Sequence, residues 1–85
     1  MSHWELEPKG TQTWVECLNE WRDKVGADLQ WILSVSQGSS QTWRAIPEIN
    51  NKELPEYIGE GGSKDAAMNA SAILLNKHRV LYRKK

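Results

Sequence analysis

The ten residues Gly59-Glu60-Gly61-Gly62-Ser63-Lys64-Asp65-Ala66-Ala67-Met68 constrain the fold of this chain more than any other stretch. An extended segment ends in the glycines and an alanine-rich run with helical spacing follows at once, so the backbone must change here from strand to helix. Ser63 suits the N-cap, because its hydroxyl accepts a bond from an unpaired amide of the first turn. Glycines let the backbone approach a neighbour closely, and a helix start reached through them presents amides and the positive end of the dipole. Lys64 adds a mobile positive charge. Together these point to an anion, and the obvious one is a phosphate.

Length and composition narrow the field. Eighty-five residues make one small domain. Five tryptophans supply the large buried areas that a small core needs. No apolar run approaches the roughly 20 residues of a membrane span, and the N-terminus lacks the basic-then-apolar order of a signal peptide. Cys17 is the only cysteine, so no internal disulfide forms; with His3 and His78 it makes no zinc pattern. A lone buried thiol points to a reducing, intracellular setting, cytoplasmic or nuclear.

Net charge is zero but unevenly spread. Residues 45–60 hold one basic and four acidic groups, whereas 63–85 hold six basic and one acidic. Neutrality argues against indiscriminate coating of nucleic acid, while the basic final third leaves room for a local contact.

Along the chain, residues 1–12 are polar, with Pro8 and Gly10, and read as a flexible arm. Trp14, Leu18, Trp21 and Val25 recur at steps of four, three and four, which predicts a first helix capped by Thr13 and stopped at Gly26. Gln30 to Gln37 alternates, with Trp31, Leu33 and Val35 on one face, as a half-buried strand does. Gly38 to Gln41 is a hairpin loop, and Thr42 to Ile49 a second strand. Pro47 cannot donate to a ladder, so a bulge or an early end is expected there. Asn50-Asn51-Lys52 turns the chain into a third strand over Glu53 to Gly59, built around Leu54, Tyr57 and Ile58. Ala66, Ala67, Ala70, Ile73, Leu74 and Leu81 mark a long second helix. The fold class is therefore α+β in the order α-β-β-β-α, with both helices on one face of a three-stranded antiparallel sheet. Residues 13–82 form this domain and 83–85 a basic tail.

This order and its motifs resemble the double-stranded RNA-binding domain over about 70 residues, Thr11 to Leu81. The family's leucine-asparagine-glutamate-aromatic motif stands at Leu18-Asn19-Glu20-Trp21. Its first-strand aromatic, seven residues before a loop glycine, matches Trp31 and Gly38. Its glycine-any-glycine-any-serine-lysine-lysine-any-alanine-lysine signature matches at Gly59, Gly61, Ser63, Lys64 and Ala67.

The resemblance implies three contacts with A-form duplex RNA. The start of the first helix, here Thr13, Glu16 and Glu20, enters one minor groove. The loop Gly38, Ser39, Ser40 and Gln41 enters the next. Gly62, Ser63 and Lys64 cross the major groove between them and meet phosphates. Such recognition reads shape and 2′-hydroxyls, not sequence.

Departures from the family pattern fall on these contacts. Asp65 and Met68 replace its second and third lysines, the loop lacks its proline and histidine and is about two residues shorter, and Trp14 stands where many members have proline. If the second helix continues, the later basic residues lie roughly 20–30 Å from Lys64, beyond a Debye length of about 8–10 Å.

The expected function is shape-specific binding of double-stranded RNA, weaker than is usual for the family. The alternative is a protein-interaction or dimerisation module that has kept the fold and lost the RNA surface, with Trp4 and Trp14 available to anchor a partner. No nucleophile is paired with a base and no carboxylate cluster suits metal ions, so neither an enzyme nor a cofactor is expected.

Overall fold

The computed structural model describes residues 3–36, 38 and 40–83. Thr13 opens helix α1, Trp14–Val25, through a reciprocal capping box: its hydroxyl accepts the Glu16 amide at 3.0 Å while the Glu16 carboxylate accepts the Thr13 amide at 2.8 Å. Gly26 closes the helix in the left-handed conformation (φ 70°), where a side chain would be strained.

Strands β1 (Leu29–Val35) and β2 (Trp43–Ile49) pair antiparallel in unbroken register, Leu29 opposite Ile49 and Val35 opposite Trp43. Neither a bulge nor an early end occurs at Pro47. The bonded pairs between these strands run through Asp28–Asn50 and Ser36–Thr42, so alternation puts the Trp31–Pro47 pair at a site where no ladder bond is made. The Pro47 carbonyl instead accepts the Leu54 amide on the far side at 2.9 Å.

Asn50 and Asn51 both adopt positive φ (53° and 69°), as a two-residue primed hairpin turn requires, and lead into β3, Lys52–Glu53. The third strand differs from the sequence reading. Leu54, Tyr57 and Ile58 are not its centre: Pro55–Tyr57 forms a single 3-10 turn, started by a proline that has no amide to offer a ladder, and pairing resumes only at β4, Gly59–Gly61. The α-β-β-β-α order holds with the third strand split into β3 and β4, both on the same side of the central β2.

Helix α2 spans Lys64–Lys77 and packs with α1 on one face of the sheet. Its buried face is Ala67, Ser71, Ala72 and Leu75, whereas Ala66 and Ile73 are exposed and Leu81 lies beyond its end. Small residues are placed there by geometry: a Cβ on Gly59 would overlap the Ala67 carbonyl and the Ser71 amide, and one on Gly61 would come within 2.6 Å of the Ala66 Cβ. Ser71, the polar member of that face, donates to the Tyr57 carbonyl at 2.7 Å and is thereby satisfied.

The chain reverses after α2 at Arg79 (φ 57°), with the Arg79 amide bonded to the Asn76 carbonyl and the Val80 amide to the Leu75 carbonyl. These two bonds are the Schellman pattern, formed without its usual glycine. Residues 80–83 then return along the N-terminal segment, so the helix does not carry Arg83 outward; Lys84 and Lys85 of the basic tail lie outside the described residues. Residues 3–12 are correspondingly packed rather than loose. Leu6 is 2% exposed, its amide bonds the Asn76 side chain at 2.8 Å, the Trp4 amide bonds the Leu81 carbonyl, and His3 bridges Tyr82. Trp21, fully buried, donates its indole N–H to the Tyr82 carbonyl at 2.9 Å and meets the Tyr82 ring edge-on.

Candidate nucleic-acid interface

At the start of α2, Ser63 takes an extended conformation and its Oγ accepts the Ala66 amide at 3.1 Å, which is the N-cap read from the sequence. Gly62 and Lys64 are exposed, and no atom lies within 4 Å of where a Gly62 side chain would begin. The three glycines thus divide by role. Gly59 and Gly61 serve the contact between β4 and α2; Gly62 alone borders open space.

The Lys64 ammonium leans back to 5.6 Å from the centre of the Trp43 ring, within cation–π range. Trp43 is half-buried rather than a full core residue, and with Gly62, Ser63, Lys64 and Asp65 it lines an open concavity of about 480 Å³. Because Trp43 begins β2, this concavity adjoins the β1–β2 loop. The Ser36 amide and Thr42 carbonyl close that loop at its base at 2.9 Å. Gly38, Ser40 and Gln41 are exposed above it, and Ser39 lies outside the described residues.

On the other side, the start of α2 abuts the start of α1. Asn69 makes the junction: its Oδ1 accepts the Val15 amide at 2.9 Å and its Nδ2 donates to the Asp65 carbonyl at 2.9 Å. Thr13, Val15, Glu16, Asp65 and Asn69 line a small hollow there. Asn69 escaped the sequence reading. Its one signal is an asparagine inside an alanine-rich helix, where a side chain that competes for backbone bonds needs a reason to stand.

The side chains of α1 are already engaged. Thr13 and Glu16 hold each other in the capping box, and Glu20 accepts from Gln12 at 2.7 Å, fastening the N-terminal segment to the helix. Glu7, Glu16 and Glu20 share a concavity of about 620 Å³ with Lys9 as its lone cation. A polyanion meets net negative charge at this point. Beneath it lies Cys17, whose thiol pKa is pushed up, chiefly by burial and further by the Glu20 and Glu7 carboxylates, against the lowering effect of a hydrogen bond with the Glu7 backbone.

Trp4 and Trp14 do not stand out as free anchors. Both are half-buried against the core, and the Arg83 guanidinium lies 5.6 Å over the Trp4 ring while bonding the His3 carbonyl. Among the described residues no three His, Cys, Asp or Glu side chains are placed to hold a metal ion, and no helix is long and apolar enough to cross a membrane.

No model of a known protein family matches this chain, and no curated protein is significantly similar to it. Its resemblance to double-stranded RNA-binding domains rests on motif spacing and on the order of its elements.

Proposed function

We propose that this domain binds double-stranded RNA by shape, weakly, through the end of the fold where the β1–β2 loop, the start of α2 and the start of α1 meet. One observation carries the reading: the three segments that the motif spacing selects, far apart in sequence, form a continuous line from the exposed loop through Trp43 and Lys64 to Asp65, Asn69 and Thr13. A duplex that offers two minor grooves and the phosphates between them needs such a line. Lys64 supplies charge at the middle, where the first amides of α2 also face outward. The weakness follows from Asp65 beside Lys64 and from the carboxylates of α1, which repel phosphate. With few cations engaged, affinity is micromolar or weaker at physiological salt and the salt slope is shallow.

The test is an amide NMR titration with an RNA duplex of about 20 base pairs, longer than the roughly 16 such domains span. Signals of residues 60–69 should shift at low salt, and Lys64→Ala should reduce binding without altering the fold. A spectrum unchanged at those residues sinks the proposal.

The acidic concavity of Glu7, Glu16 and Glu20 favours a second reading, in which this end receives a basic protein surface. Under it, duplex RNA leaves residues 60–69 untouched, so the same titration separates the two.

A further inference from the structure

Sheet edges expose unpaired amides and carbonyls, and proteins blunt them with short strands, charges or cover. Two of the three edge strands here are blunted. β3 has two residues, Lys52 and Glu53, both charged. β4 has three, and its Glu60 is held by Arg44 at 2.7 Å. β1 is different: seven residues, Leu29–Val35, without a charge, a proline or a bulge, and with no strand beyond it among the described residues.

Register tells which groups point outward. Bonded pairs with β2 include Asp28–Asn50 and Ser36–Thr42, so even-numbered residues bond β2, whereas Leu29, Trp31, Leu33 and Val35 turn their amides and carbonyls away from the sheet. The helix-side side chains along this edge, Leu29, Trp31, Leu33 and Val35, are all apolar, and the other face sets Ile32 between Gln30 and Ser34. Leu33 is 39% exposed on the helix side; Ile32 is 37% exposed on the other, opposite Ile46.

We propose that β1 is a self-association edge, at which two copies of the chain join antiparallel about a two-fold axis at Ile32 and make one continuous sheet. The sequence of the strand selects a second copy as the occupant. Leu29-Gln30-Trp31-Ile32-Leu33-Ser34-Val35 is chemically palindromic about its centre. Antiparallel pairing there sets Leu29 against Val35, Gln30 against Ser34, Trp31 against Leu33, and Ile32 against itself. Every pair matches apolar with apolar or polar with polar, and no like charges face each other. The same register places outward amides opposite outward carbonyls, Trp31 with Leu33 and Leu29 with Val35, as bonded antiparallel pairs require. A strand of unrelated sequence would meet this pattern only in part. The interface is isologous and closes at two copies, which also removes the exposed edge.

Sedimentation equilibrium from micromolar to near-millimolar concentration tests this. A monomer–dimer equilibrium is expected, with Ile32→Lys raising the dissociation constant at least about tenfold by setting two ammonium groups across the axis. Ile73→Lys, at an exposed apolar site on α2, should leave the equilibrium unchanged. Hydrogen exchange on the unmodified protein gives a readout that does not depend on a variant folding: amides of Trp31 and Leu33 gain protection as concentration rises, while those of Ile32 and Ser34 are protected throughout. A protein monomeric at the highest concentration, growth beyond a dimer, concentration-independent exchange at Trp31 and Leu33, or a dimer abolished by Ile73→Lys would each overturn the proposal.

Discussion

Replacing Gly59 by alanine separates packing from phosphate binding as the reason for the glycine-rich segment. The added methyl would overlap the Ala67 carbonyl and the Ser71 amide, and both are backbone atoms that cannot rotate aside. Either β4 leaves β2 or α2 lifts from the sheet. Overpacking of this kind costs about 1–3 kcal/mol and sometimes more. Displacing α2 also separates the Ser71 hydroxyl from the Tyr57 carbonyl, and a buried hydroxyl without a partner costs about 1–3 kcal/mol. Together these give a loss of about 2–6 kcal/mol, a large part of the 5–15 kcal/mol typical of a domain. In urea unfolding, with a slope near 1 kcal/mol per molar for so small a chain, the midpoint should fall by at least about 2 M. Gly62→Ala is the internal comparison. It meets no atom within 4 Å, so its effect should stay within about 0.5 kcal/mol or be slightly stabilising through the unfolded chain. A loss below about 1 kcal/mol at Gly59, or an equal loss at both positions, would refute this account of the glycines.

Other perturbations bear on the site and the core. Asp65→Lys exchanges a charge that repels phosphate for one that attracts it; the log–log salt slope of duplex RNA binding should steepen by about one, while the lost dipole interaction costs about 0.3–1 kcal/mol of stability. Fluorescence anisotropy at two salt concentrations measures the first, and an unchanged slope would place Asp65 away from RNA. Leu6→Ala should destabilise by about 2–5 kcal/mol, as core truncations do; a loss under about 1 kcal/mol in urea unfolding would show that residues 3–12 add little to the folded unit. For Cys17 the folded pKa is raised, so the folded state favours the protonated thiol. Its contribution is complete below the unfolded pKa of about 8.5 and is lost as pH rises through the folded value. Thermal melts above about pH 9 should therefore fall faster for the unmodified protein than for Cys17→Ala, and parallel decline in both would exclude the thiol as the cause.

Much of the fold was legible along the chain because its signals are local. Thr13 with Glu16 three residues on, Gly26 after the last apolar step, and Ser63 before the alanines each concern backbone groups within one turn, and all three ends stand where the sequence places them. The alternation of β1 and β2 and the two asparagines of their successor turn are local in the same sense. Short pairings were not legible. The three-residue strand Gly59–Gly61, resuming after the turn at Pro55, owes its state to what β2 offers across the sheet.

The candidate interface divides in the same way. Sequence spacing alone determined the order of elements, the caps of both helices and the residues that a family resemblance selects. Tertiary structure decided that Gly59 and Gly61 serve a helix and not a ligand, that Asn69 joins the two helix starts, that Lys64 rests over Trp43, and that residues 3–6 and 80–83 fold back on the core. The reason is physical. Caps and turns satisfy backbone groups a few residues apart, whereas the close approach of β4 to α2 and the junction of the two helix starts need separate elements to pack, and the clasp of Leu6, Trp4 and Leu81 needs segments some seventy residues apart to meet in space.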